Sequence, residues 1–488
     1  MPLRVLHTDL HILNMFTRMP FRYGIATLTA LPHVFLRITL EIDGSNQTGI
    51  ASEGLAPKWF TKVPEAPVER ELLDMLEVIR AACDHATAAA PAANVFDLWR
   101  SIYAAQASWA DDTPHPPLLA NLGVSLVERA VIDAFCKARR TTFAQAVRDN
   151  TLGIDLASIH KELATSEPKD FLPPQPARSL IARHTIGLSD PLTDDEIAPD
   201  DRLSDGLAQS LEACIKHDQL THFKIKIPSV AKQAIQRMRS IANVLKTNSP
   251  NFQFTLDGNE FFREVDAFRE HWRRLLAEDD IRAFFQRGLL FVEQPLHRDI
   301  ALTDHVTRAF DRWPDRPAMI IDESDGELAS LRRALACGYV GTSHKNCKGV
   351  FKGIANACFI QQLRRVHPDS RYILSGEDLA NVGPVALLQD LAVVATLGLS
   401  HVERNGHHYF AGLSAFPQDI QQAVIAQHPD LYHWHTHGQS QFPSLTIHRG
   451  RLQLDTVINA PFGCAIKLDT DQFTPAQKWR TQSLAVQP

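Results

Sequence analysis

The sequence predicts an α/β chain: a closed (β/α)₈-type barrel, a modified TIM barrel, joined to a smaller α+β domain. Three observations predict it. Residues 1–60 read as strands and residues 67–150 as helices. From Arg178 short branched strands alternate with helices, and near His401 that alternation stops and leaves a tail. Strands followed by a block of helices indicate α+β, and repeated β-then-α units indicate a parallel sheet.

Taken in order, His33–Ile42 (HVFLRITLEI) alternates and ends at Asp43-Gly44, a hairpin turn, so Gln47–Glu53 is its partner strand. Val68–Ala90 and Val124–Arg148 carry apolar residues three and four apart, the helical period. These elements make up a domain over 1–150, closed by the Pro-rich linker Phe171–Pro176. The barrel spans 178–405. Its strands are Ser179–Ile186, His222–Ile227, Gln253–Asp257, Leu289–Glu293, Ala318–Asp322, Gly338–Ser343 and Arg371–Ser375, with helices such as Val230–Lys246 and Gly349–Val366 between them. Their number and spacing suit a closed barrel better than an open sheet. The tail, 406–488, contains a hairpin-like stretch over Ser444–Asp455 turning at Arg449-Gly450, and is expected to pack back on the first domain.

Composition narrows the function. The chain has 488 residues, 44% hydrophobic and 22% charged, which is ordinary for a globular protein. A net charge of −6 gives no electrostatic reason to bind nucleic acid or an anionic membrane. Seven scattered cysteines with no CxxC pair read as reduced thiols of a cytoplasmic protein. The N-terminus lacks a signal-peptide core, and the longest apolar runs are far too short to span a membrane. Large barrels often self-associate, so a homo-oligomer is expected.

The chemistry lies at the strand ends, where barrels of this type carry their sites. Successive strands end in Lys224-Ile225-Lys226, Asp257-Gly258-Asn259, Glu293-Gln294-Pro295, Asp322-Glu323-Ser324 and Lys345. Three carboxylates on neighbouring strands, Asp257, Glu293 and Asp322, would repel one another unless a cation joins them. All-oxygen ligands suit Mg²⁺, with Mn²⁺ as a substitute. Lys224 and Lys226 precede this set and Lys345 follows it, so amines would flank a bound small-molecule carboxylate on both faces. Such an arrangement suits removal of the proton beside a carboxylate, because cations stabilise the enediolate that forms. Taken singly, each motif is weak; strand-end acids often only cap a helix.

These residues resemble the enolase superfamily, in particular its muconate lactonizing enzyme-like subgroup within the mandelate racemase/muconate lactonizing enzyme family. The likeness is carried by PFRYGIATLTALPHVFLRI (Pro20–Ile38), FKIKI, LDGN, VEQP, IDES and INAPFGCAIKLD (Ile458–Asp469), and covers most of the chain. It implies a (β/α)₇β modified TIM barrel with an α+β capping domain built from the N-terminus and the C-terminal tail. It also implies Asp257, Glu293 and Asp322 as Mg²⁺ ligands, Lys226 as one base, and Lys345 on the opposite face. Lys224 would help hold the carboxylate, and Lys348 is the lesser claimant to the opposite face. The implied activity is racemisation or epimerisation; a syn-eliminating lyase or a cycloisomerase shares the first step. A barrel without activity that only binds is the reading from outside catalysis. The spacings, 36 residues from Asp257 to Glu293 and 29 from Glu293 to Asp322, are longer than the family habit and point to insertions on the helical side.

Secondary candidates for substrate contact are Arg22, Tyr23, Asn259, Glu377, Asp378 and Glu403, with Arg18–Tyr23 and Gly54–Lys62, including Trp59, as lids. His407-His408 near the last strand end is a further candidate to face the pocket. His433, His435 and His437 alternate onto one face but have no acid or cysteine nearby in sequence.

Overall fold

In the computed structural model, which describes residues 2–485, three long strands open the chain. They are β1 (Leu3–Tyr23), β2 (Ala26–Ile42) and β3 (Ser45–Gly54), antiparallel in the order β1-β2-β3. Asp43 and Gly44 both take positive φ, 53° and 77°, as the tight β2–β3 turn requires. Helices α1 (Val68–Ala88), α2 (Val95–Asp111) and α3 (Pro117–Arg139) cover one face of this sheet. The long helix expected over Val124–Arg148 is instead two, because Arg140 adopts the left-handed conformation and caps α3 before a short helix, Phe143–Arg148.

The approach of α3 to the sheet depends on Gly49 in β3. A Cβ there would sit 2.0 Å from the Ala130 carbonyl oxygen and 2.7 Å from the Ala134 amide nitrogen. Gly49→Ala is therefore expected to force α3 off the sheet and cost about 1–3 kcal/mol. A denaturant midpoint unchanged from wild type would contradict it.

The barrel strands are β4 (Ser179–Ile186), β5 (His222–Lys226), β6 (Gln253–Asp257), β7 (Leu289–Glu293), β8 (Met319–Ile321), β9 (Gly341–His344), β10 (Ile373–Gly376) and β11 (His401–Arg404). All run parallel, each beside the next, and β11 closes on β4 through the pairs His401–Ile181 to Arg404–His184. The long spacings between the acidic strand ends have the expected cause. Two helices, Val265–Ala277 and Asp279–Gly288, separate β6 from β7, and two more, Arg298–Ala301 and Asp304–Asp311, separate β7 from β8.

The tail serves both layers. A hairpin, β12 (Tyr432–His437) and β13 (Ser440–Leu445), comes first. The expected hairpin over Ser444–Asp455 is reduced to a single antiparallel bridge, His448 with Arg451. The turn at Arg449-Gly450 is present, but the strand after it, β14 (Arg451–Gln453), pairs antiparallel with the start of β4. Finally β15 (Thr474–Pro475) pairs with His11 and Ile12 of β1. No helix among the described residues is long and apolar enough to cross a membrane. All seven cysteines are buried thiols.

Candidate active site at the barrel mouth

Strand register sets the site. Lys226 pairs with Asp257, and Asp257 pairs with Glu293, so three chemical side chains stand side by side at the C-terminal ends of β5, β6 and β7. Asp322 follows β8, Lys345 follows β9, and Glu377 follows β10, while Glu403 lies in β11. All are buried.

The two outer lysines hold acids from opposite sides. Lys226 Nζ donates to Asp257 Oδ2 at 2.6 Å, and Lys345 Nζ donates to Asp322 Oδ2 at 2.5 Å. Lys348 also reaches Asp322, at 3.0 Å from Oδ1, and Ser343 Oγ, at 2.7 Å. Lys345 lies over the Trp59 ring, 4.4 Å from its centre. Lys224 does something different. Its ammonium contacts four carboxylates, those of Glu293 (2.9 Å), Glu377 (3.0 Å), Glu403 (3.0 Å) and Asp257 (3.1 Å). It neutralises the acidic floor and also lines the cleft above it.

The electrostatics follow. Burial alone would raise every carboxyl here. For Asp322, Lys345 and Lys348 reverse this and hold it well below the usual range; Lys226 and Lys224 likewise hold Asp257 low. Glu403 is also held well below its usual value against burial, chiefly by Lys224. Glu293 goes the other way: burial and then the Glu377 charge push it well above normal. Burial, with Glu260 and Asp322 nearby, pushes Glu323 up to about 8. For Lys345, burial favours the neutral amine but the Asp322 carboxylate outweighs it, and the net direction is upward.

Asp257, Glu293 and Asp322 suit a hard divalent cation by donor type, since all three offer buried carboxylate oxygens. They are not among the clusters in which His, Cys, Asp or Glu ligand atoms come within 4.8 Å of one another, and Lys224 stands among them. A protonated Glu293 or a cation in the lysine's place each relieves the crowding of acids.

Above this floor lies a narrow cleft. Phe21, Tyr23, Leu28 and Trp59 from the N-terminal domain roof it, and Leu379 and Ala380 close one side. The Gly54–Lys62 lid is pinned in place: Arg298 donates to the carbonyls of Trp59 and Phe60, both at 2.8 Å, and pairs with Glu260. Tyr23 donates to the Pro57 carbonyl at 2.8 Å.

The remaining expectations divide. Tyr23, Asn259, Asp378 and Glu403 line the cleft. Arg22 does not, because strand alternation turns it outward, where it is exposed and donates to Ser189 Oγ at 3.1 Å. Glu377 lies beneath the cleft, paired with Arg183 and Lys224. Asp378 is tied to Arg404 at 3.0 Å and to the Asn381 and Asn405 amides, a bracing role. His408 faces outward from the barrel, towards Cys214 and His184. His433 and His435 are separately occupied, by Thr446 and by the Asp205 carbonyl. Sequence reasoning passed over Arg183, Arg298 and Arg404, since a lone arginine in a strand or turn carries no spacing signal.

No protein-family model matches the chain, and no curated protein matches its sequence. Solved structures do match its fold. A 2-chloromuconate cycloisomerase from Rhodococcus opacus 1CP is 15% identical, with 96% of this chain and 98% of that one aligned at a TM-score of 0.58. An N-succinyl Arg/Lys racemase from Bacillus cereus is 13% identical over 94% and 98%, with a TM-score of 0.55. A dipeptide epimerase from Enterococcus faecalis V583, solved with Mg and the dipeptide L-Leu-L-Tyr, is 12% identical over 84% and 92%, with a TM-score of 0.54. At these identities the likeness is one of fold, a modified TIM barrel under a capping domain.

Proposed function

We propose that the chain is an enolase-superfamily enzyme of the muconate lactonizing enzyme-like subgroup, which moves the proton beside a carboxylate. A racemase or epimerase fits it best. The observation that carries this reading is the pair Lys226 and Lys345, each bonded to a different member of the acidic set, at the ends of two strands flanking one buried cleft. Asp257, Glu293 and Asp322 would hold Mg²⁺, which when bound supplies positive charge to stabilise the substrate's carboxylate oxygens.

The side chains of this protein then have defined tasks. One lysine, as the neutral amine, takes the α-proton. The lysine on the other face, as the ammonium, returns one with inversion. Lys224 holds the acidic floor together. Trp59, Tyr23 and Phe21 exclude water, which strengthens each charge interaction within. The lining contains no cation besides the three lysines among the described residues, and its roof is aromatic and aliphatic. The substrate we assign is accordingly a carboxylate with an apolar remainder, such as an N-acylated apolar amino acid.

The test is proton NMR in D₂O with Mg²⁺ and a panel of N-acylated amino acids, dipeptides and simple acids. The expected result is loss of the α-proton signal with appearance of the opposite enantiomer, and arrest by EDTA. Exchange without inversion would point to the lyase or cycloisomerase chemistry that shares the first step. No exchange across the panel by folded protein would leave a binding protein and overturn the proposal.

A further inference from the structure

Outside the barrel wall, and apart from the cleft, lies a second cluster with metal-ligating chemistry. Arg183 and Thr185 of β4 point into the barrel, to Glu377 and Glu403, so alternation sends His184 outward. There it meets Cys214, on the helix Leu211–Asp218, and His408, on the short helix Gly406–Tyr409 that follows β11. One ligand atom from each of the three lies within 4.8 Å of the others, and all three residues are buried. Cys214 Sγ is 3.6 Å from His408 Nδ1, and the rings of His184 and His408 are centred 4.9 Å apart.

From these observations we propose that His184, Cys214 and His408 form a binding site for a thiophilic divalent cation of the zinc class. The geometry agrees with such an ion. Zinc bonds of about 2.0–2.1 Å to nitrogen and about 2.3 Å to sulfur place a tetrahedral N and S about 3.6 Å apart. An independent observation points the same way: His184 Nδ1 is buried with no hydrogen-bond partner, in a residue only 2% exposed. A buried orphan nitrogen, on a ring packed beside a thiol and a second imidazole, is costly unless something occupies it. Burial keeps both imidazoles neutral, the ligating form, with His184 lowered to about 3 and His408 well below its usual value. The thiol, raised by burial, would release its proton to solvent as the metal–sulfur bond forms. The donors are soft and borderline, N₂S, whereas those at the barrel mouth are hard oxygens, so the two sites select different ions. The ring of His407 is centred 5.5 Å from that of His184, at the edge of the cluster.

The role assigned is structural. The three donors tie the first barrel strand, the helix Leu211–Asp218 and the segment after the last strand, which stitches the closure of the barrel between β4 and β11.

The probe is Co²⁺, supplied during expression of the full chain, followed by dialysis and absorption spectroscopy. The expected result is one tightly held cobalt with a near-ultraviolet thiolate-to-cobalt charge-transfer band. That band should vanish in Cys214→Ser and persist in Cys337→Ser, a cysteine far from the cluster. Should Cys214→Ser fail to fold, His408→Gln, which keeps the thiol, should weaken cobalt retention at least tenfold. A charge-transfer band retained in Cys214→Ser, or its absence from wild-type protein carrying cobalt, would overturn the proposal. The readout is sulfur ligation, so it stands or falls independently of any exchange activity at the cleft.

Discussion

Lys226→Ala should slow α-proton exchange of the enantiomer whose proton faces it by about 10²- to 10⁴-fold, the usual contribution of a positioned proton-transfer group. Lys226 has one acid partner, Asp257, at 2.6 Å and sits at the floor of the cleft, so it has no other evident duty. Lys345→Ala should show the mirror-image pattern. If the two amines serve opposite faces, that variant keeps exchanging the α-proton of one enantiomer and loses exchange of the other. Measuring washout from each enantiomer separately in D₂O reads this directly. Wild-type exchange of both enantiomers in Lys226→Ala, or equal losses for both enantiomers in both variants, would sink the two-face arrangement. The melting curve of each variant must be recorded beside it, because each leaves a buried carboxylate with one cation fewer.

The largest stability effect belongs to Arg183. Its side chain is completely buried. It donates to Glu377, to the Gly376 carbonyl at 3.0 Å and to Ser375 Oγ at 3.1 Å. Arg183→Leu leaves Glu377 in the barrel with Lys224 as its one remaining cation and the Ser375 hydroxyl as a further donor. Removing one partner of a buried pair costs about 3–5 kcal/mol. The double variant Arg183→Leu/Glu377→Leu should recover much of this loss, because Lys224 retains Glu293, Glu403 and Asp257. Urea denaturation of the three proteins checks it. A double variant no more stable than the single would show that Glu377 is held chiefly by other groups.

Much of this architecture was legible in the chain. Buried parallel strands are short, branched and bounded by turns, so β4, β6 and β7 fall where the residues place them, and the others shift by a few positions. The acids and lysines at their ends could be aligned because register follows from closing the barrel. What stayed hidden has physical reasons. The break at Arg140 depends on a left-handed residue that is neither Gly nor Asn, so no residue type announces it. The three-residue strand β14 looks like half of a local hairpin, and only tertiary pairing with β4 reveals its use. Arg22 was misplaced because the phase of alternation at the end of β1 cannot be told until the roof is seen. Lys224 and Lys226 share a face as expected, yet depth separates their roles. The inner one is surrounded by acids and the outer one has one acid partner.

The two-residue strand β15 has a consequence for biosynthesis. Its partners on β1 are His11 and Ile12, so β1 is bonded to residues that are made long after it. The barrel likewise cannot shut until His401–Arg404 arrives beside β4. Until those partners are made, the nascent chain therefore carries an unsealed β edge and an open sheet, the kind of surface that chaperones shield. Deletion of residues 470–485 should accordingly lower soluble yield more than it disturbs the barrel-mouth chemistry of whatever fraction folds.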